Sequence, residues 1–207
     1  MESIKEETDR NDKVRMILEA SQRRFGLYGV EKTSMREIAD DLNLSKASLY
    51  YYFPDKETLY KAVIEKEQQE FLSRISDTIS NINEPEQLLL EYVHVRLSYF
   101  RTLLNLSRLR MESYSDLRPA FRESIRVFKE KEKEIIIKIF EKGTRNGIFF
   151  IDDADQTASI FLDLLKGLRV TLVNEKKTLS IEQDEFDQLL QKTLLFTSVF
   201  IKALKYR

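Results

Sequence analysis

Residues 33–56, Thr-Ser-Met-Arg-Glu-Ile-Ala-Asp-Asp-Leu-Asn-Leu-Ser-Lys-Ala-Ser-Leu-Tyr-Tyr-Tyr-Phe-Pro-Asp-Lys, carry the signals of two short capped helices joined by a tight turn. Ser34 and Glu37 stand at the spacing of a capping box, in which each side chain satisfies a backbone N–H near the other. Met35, Ile38, Ala39 and Leu42 then recur with helical period on one face, which gives the first helix a buried side. The break falls at Leu42-Asn43-Leu44, where a left-handed residue is needed and Asn43 tolerates that conformation better than most non-glycine residues. Ser45 can cap the second helix, whose inward positions are Leu49 and Phe53. Its outer face is left with Lys46, Ala47, Ser48, Tyr50, Tyr51 and Tyr52, a polar and aromatic set suited to the major groove of DNA.

The segment Ser45–Lys56, with Ala20, Phe25, Gly29 and Thr33 upstream, resembles the TetR family of bacterial transcriptional regulators. The resemblance takes in the first third of the chain; beyond residue 65 it is one of length and helical layout. Two positions depart from the family pattern, which often has glycine where Asn43 and Ala47 stand: Asn43 keeps the turn, whereas the Ala47 methyl limits how closely its helix approaches a DNA backbone. The resemblance implies an all-α protein with a three-helix DNA-binding domain over residues 1–57 and a helical domain for effector binding and dimerisation over 58–207. It further implies a homodimer that binds palindromic double-stranded operator DNA, represses transcription and is released by a small-molecule effector.

On that reading Ser45, Lys46, Ala47 and Ser48 form the first turn of the recognition helix. Lys46 can bond guanine O6 and N7, and Ser48 can bond either base type. Tyr50 and Tyr51, by resemblance, meet phosphates or a thymine methyl, and Tyr52 either buttresses the fold or meets a phosphate. Lys56 is expected at a phosphate near the start of the fourth helix. Thr33 and Arg36 approach from the preceding helix, Arg36 toward a base or groove. Arg23, Arg24, Lys32, Arg36, Lys46 and Lys56 supply a local basic face in a chain whose net charge is only −1.

Composition narrows the alternatives. The 207 residues contain 42% hydrophobic and 33% charged residues with only 5 Gly and 3 Pro, as expected of a helix-rich globular protein with a sizeable core. The absence of cysteine excludes a disulfide framework, a thiol nucleophile and Cys-ligated metal sites. No apolar run nears the roughly 18 residues of a membrane span, and the first ten residues are too charged for a signal peptide, so the expectation is a cytoplasmic protein with no membrane partner. A single histidine, no phosphate-cradling glycine loop and no metal-ligand spacing argue against an enzyme and imply no cofactor or metal.

Helical periodicity continues through the rest of the chain. Helices are expected over about 12–28, from Asp55 to about 81, from Pro85 through Leu103, over a short segment near 107–114, from Pro119 to 142, from Asp152 or Asp153 to about 174, and over 181–205. The run Lys129-Glu130-Lys131-Glu132-Lys133-Glu134 is expected to be a solvated face with near-neighbour ion pairs. The last two helices carry apolar residues most of the way round, which points to a second chain packing on Leu162, Leu165, Leu194 and Phe200. His94, Tyr99 and Phe161 are candidates for lining an effector pocket, amid Tyr92, Arg96, Arg101, Arg108, Arg110 and Tyr114. Two rival readings share the fold: a DNA-bound protein whose second domain recruits another protein, as nucleoid-occlusion members do, and a helical enzyme or carrier lacking DNA binding.

Overall fold

Among the described residues, 2–102, 119–176 and 182–206 of a computed structural model, every regular element is a helix. The order is α1 (Glu2–Tyr28), α2 (Met35–Asp41), α3 (Lys46–Tyr52), α4 (Lys56–Ser80), α5 (Pro85–Thr102), α6 (Pro119–Arg145), α7 (Ala154–Lys176) and α8 (Gln183–Leu204). None of these helices is long and apolar enough to cross a membrane. The expected short helix near 107–114, with Arg108, Arg110 and Tyr114, lies outside the described residues.

The chain divides into two units, and the division falls after Gln69, inside α4. Leu59, Val63 and Ile64 are fully buried, and the ring of Tyr60 meets that of Phe25 edge-on at 5.2 Å, so the first turns of α4 complete the core of the N-terminal unit. Ile17, Ala20, Ile38, Ala39 and Leu49 fill the rest of it. Helix α1 starts ten residues before the expected Asp12. Residues 7–13 are exposed and the first buried side chain is Ile17, because apolar period marks where a helix packs, whereas charged helix formers can extend it into solvent.

In the second unit α5 packs on α6 and α8, and α7 on α6 and α8. Leu89, Tyr92, Val93, Phe128, Ile136, Phe140, Phe149, Phe161 and Leu165 are buried. Phenylalanine rings dominate one region: Phe161 lies 5.0 Å from Phe200, 6.2 Å from Phe140 and 6.4 Å from Phe196. Edge-to-face and stacked pairs at such separations add to the burial of area. Phe149 enters this region through the turn after α6, where Gly147 adopts φ 71° and the N–H groups of Ile148 and Phe149 both donate to the Gly143 carbonyl.

The charged stretch at 129–134 is not uniformly solvated. Glu132 is 1% exposed and accepts hydrogen bonds from Tyr92 Oη at 2.9 Å and Arg96 Nε at 3.0 Å. The Arg96 side chain is only 2% exposed. Desolvation opposes its charge, but the Glu132 carboxylate and Tyr92 more than offset this and keep the guanidinium protonated. The remaining charges behave as expected: Lys133 reaches Asp155 at 2.9 Å and Glu130 at 3.4 Å on the surface.

Two other expectations are corrected. The expected pocket residues do not converge. The His94 side chain is half exposed with Nδ1 3.6 Å from Glu91, Tyr99 packs edge-on against Phe71, and Phe161 is locked in the phenylalanine cluster. A cavity of about 200 Å³ between α6 and α7 is lined instead by Lys129, Lys133, Ser159, Asp163, Lys166 and neighbours. The residues expected at a self-association face are largely committed within the protomer. Leu165 is buried in its own unit, Phe200 belongs to the ring cluster, and Leu162 and Leu194 are half-buried. Among the described residues, the large apolar side chains left outward on α7 and α8 are Ile160, Leu164, Leu195 and Val199. Helical period locates a stripe, but which of two adjacent stripes faces inward depends on the partner helix.

Candidate nucleic-acid interface

Helices α2 and α3 have only seven residues each, too short to be stable by propensity alone, so their geometry rests on caps and on anchors into the core. At α2 the expected capping box is complete. The Glu37 N–H donates to Ser34 Oγ at 3.3 Å, and the Ser34 N–H donates to Glu37 Oε2 at 2.8 Å. Hydrogen bonding from the Ser34 backbone, then from its hydroxyl, holds the Glu37 carboxyl below the usual carboxylate range. Asn43 has φ 53°, the left-handed conformation expected of it, and the Leu44 N–H returns to the Ala39 carbonyl at 2.9 Å to close the turn.

The Ser48 N–H donates to Ser45 Oγ at 3.0 Å and so fixes the start of α3. Leu49 is fully buried and Phe53, at the C-cap, is nearly so. These two anchors turn Lys46, Ala47, Tyr50 and Tyr51 outward at i, i+1, i+4 and i+5, one continuous helix face. Lys46 Nζ lies 5.4 Å from the Tyr50 ring centroid, and Tyr51 is 74% exposed with its ring edge-on to Tyr52 at 5.1 Å. Ser45 is exposed, whereas Ser48 and Tyr52 are half-buried. Exposed rings and a lysine on a rigid capped helix are what a reader of base edges and phosphates requires.

The flanking residues divide sharply. Arg36 projects from α2 with its side chain 83% exposed and only a loose 3.8 Å approach to Asp40. Thr33 is corrected: it is buried at 2% exposure, and its hydroxyl donates to the Gly29 carbonyl at 2.9 Å, which removes it from any surface. Arg24, counted in the basic face, instead grips Asp41 through Nε and Nη2, with Glu37 at 3.4 Å and the Tyr28 ring beneath. The bidentate hydrogen bonds hold the Asp41 carboxyl low and the guanidinium charged. No local spacing signals this latch, since its partners are 17 residues apart. Lys56 Nζ donates to the carbonyls of Val30 at 2.8 Å and Thr33 at 3.1 Å. Of the six cations expected in the basic face, Arg23, Lys32, Arg36 and Lys46 are the exposed ones.

Comparison with known proteins agrees with this geometry. Residues 17–63 match the family model described as bacterial regulatory proteins, tetR family. The crystal structure of a transcriptional regulator from Cytophaga hutchinsonii superposes with a TM-score of 0.81 at 36% identity, covering 94% of this chain and 99% of that one. The HTH-type transcriptional regulator RutR of Escherichia coli is 32% identical over 97 residues, 47% of this chain and 45% of RutR, so the match spans less than half the length of that relative. A protein from Saccharomonospora viridis in complex with choline shares the fold, with a TM-score of 0.76 at 22% identity over 91% of this chain and 96% of that one. With the capped helix-turn-helix, the outward face of α3 and near-complete coverage by a regulator above 30% identity, the chain belongs to the TetR family of DNA-binding bacterial transcriptional regulators.

Proposed function

We propose that the protein is a cytoplasmic homodimeric repressor whose two α3 helices occupy successive major grooves of a palindromic operator and whose second unit binds a small-molecule effector that releases the DNA. The observation that carries the DNA reading is the outward row Lys46, Ala47, Tyr50 and Tyr51 on a helix capped by Ser45 and anchored by Leu49. Lys46 and Ser48 are assigned to base edges, Arg36 to a base or groove, and Tyr50 and Tyr51 to phosphates or a thymine methyl. Self-association is assigned to Ile160, Leu164, Leu195 and Val199, apolar side chains that stand in solvent on adjacent helices. Effector binding is supported by the choline complex of the S. viridis protein that shares this fold. An effector that lowers operator affinity must bind the DNA-bound protein less tightly by the same factor.

The deciding experiment is fluorescence anisotropy with duplexes tiled across the DNA upstream of the protein's own gene, at near-physiological salt. One duplex containing an inverted repeat should bind with a Kd of about 10⁻⁸ M or tighter, and a scrambled duplex at least about 10³-fold more weakly. Equal, weak binding to every duplex would remove the operator reading and return the choice to a protein that acts without sequence-specific DNA.

A further inference from the structure

Lys56 is placed by its motif where a phosphate contact is expected, yet its ammonium is turned to the protein. We propose that Lys56 is a positioning residue: it clamps the α1–α2 loop to the start of α4 and so holds the two ends of the helix-turn-helix together. The inference rests on the DNA-binding reading of α2 and α3.

The loop is closed by hydrogen bonds to its own backbone carbonyls, from backbone N–H groups and from two side chains. Gly29 ends α1 at φ 84°, with its N–H returned to the Phe25 carbonyl at 2.9 Å. The Gly29 carbonyl is taken by the Thr33 hydroxyl, and the Thr33 N–H points at the Val30 carbonyl at 3.4 Å. The carbonyls of Val30 and Thr33 are bridged by the Lys56 ammonium, at 2.8 and 3.1 Å. Two of the three N–H donors of that ammonium are therefore committed, to neutral acceptors that a charged donor bonds more strongly than an amide would. The residue after Thr33 is Ser34, whose capping box starts α2. The residue before Lys56 is Asp55, whose carboxylate accepts the Thr58 N–H at 2.7 Å and starts α4. The stretch between Thr33 and Lys56, which are 23 positions apart, contains both short helices and every residue assigned above to DNA. A clamp across its ends fixes where α2 begins relative to α4, and α3 hangs between them through Leu49 and Phe53.

The distinction from a phosphate contact is measurable. A lysine that neutralises a phosphate lowers the slope of log Kd against log salt by about 0.9 when removed; a clamp leaves the slope alone. Lys56→Met should weaken operator and scrambled duplex alike by roughly ten- to hundredfold, the loss of a hydrogen bond to a charged group, with the slope unchanged. Amide exchange at Val30 through Ser34 should accelerate in the free protein. Lys56→Arg, which keeps charge and paired donors, should restore most of the binding. A slope reduced by about 0.9 with unaltered exchange at the loop would overturn the clamp.

If Lys56→Met does not fold, the wild-type protein decides the matter by NMR of lysine side-chain ammonium groups. A clamped Lys56 gives a slowly exchanging signal in the free protein that stays in place when operator is added. A signal seen only with DNA, or coupled to phosphorus, overturns the proposal. Should no duplex bind the wild type, the operator reading fails, while loop exchange in Lys56→Met still reports on the clamp.

Discussion

Lys46 and Lys56 share a motif and differ in what their ammonium groups meet, so they should fail differently. Lys46 is exposed, steadied only by the Tyr50 ring, and assigned to a base edge. Lys46→Ala should cost about 1–3 kcal/mol on the operator and much less on a scrambled duplex, so the ratio of the two affinities should fall. Binding isotherms on both duplexes check this, and an equal loss on each would make Lys46 a phosphate contact. Arg96 and Glu132 present the opposite situation, two charges with almost no solvent. Removing one partner leaves the other charge buried, so Arg96→Ala should destabilise the second unit by about 3–5 kcal/mol. Arg96→Met with Glu132→Leu should recover much of that, because a buried pair gains little over apolar side chains of similar size. Urea denaturation of the three proteins compares these directly; a double variant as unstable as the single one would mean that Tyr92 and the pair are needed together.

Short elements depend on their caps and on side-chain latches, and three of the groups that hold the DNA-reading unit this way are acidic. Glu37, Asp41 and Asp55 are all held below their ordinary range, by the Ser34 backbone, by Arg24 and by the Thr58 N–H respectively. A carboxylate with a depressed folded-state pKa contributes stability above the unfolded value and loses it as pH falls through the folded one. The N-terminal unit should accordingly loosen below about pH 4, with faster amide exchange in α2 and α3, and Glu37→Gln should blunt that response. Helix α6 ends against a steric limit instead: a Cβ on Gly143 would meet Phe149 Cδ2 at 2.0 Å. Gly143→Ala should cost about 1–3 kcal/mol by pushing Phe149 out of its place beside Phe140, and Phe149→Leu should relieve part of it in thermal melts. At this scale the sequence was most legible where one residue determines one local geometry. Ser34, Asn43, Ser45 and Asp55 announced their caps and turn, and each forms as read. What stayed hidden depends on partners far along the chain. The Arg24–Asp41 latch, the burial of Thr33 and Glu132, and the solvent-facing side of His94 follow from how helices meet, which no local spacing encodes.

Over the whole molecule, the assignment of Ile160, Leu164, Leu195 and Val199 to a second copy predicts a separation between folding and assembly. These four side chains stand 44–68% exposed in the protomer, at i and i+4 on each of two neighbouring helices. A charged residue there meets water in the monomer and a low-dielectric contact only in a dimer. Leu164→Glu combined with Val199→Glu should therefore leave helix content and unfolding midpoint near those of the wild type while sedimentation shows a monomer. Leu165→Glu, one position along but buried at 1% exposure, should instead unfold the second unit, since it places a carboxylate in the core. The two variants distinguish a surface that needs a partner from a surface the protomer already uses. Operator binding supplies the second readout. A dimer engages two half-sites at once, so a folded monomer should lose about 10²- to 10⁴-fold in affinity for the intact palindrome and almost nothing for an isolated half-site. A Leu164→Glu/Val199→Glu protein that sediments as a dimer with native operator affinity would move the interface elsewhere on α7 and α8.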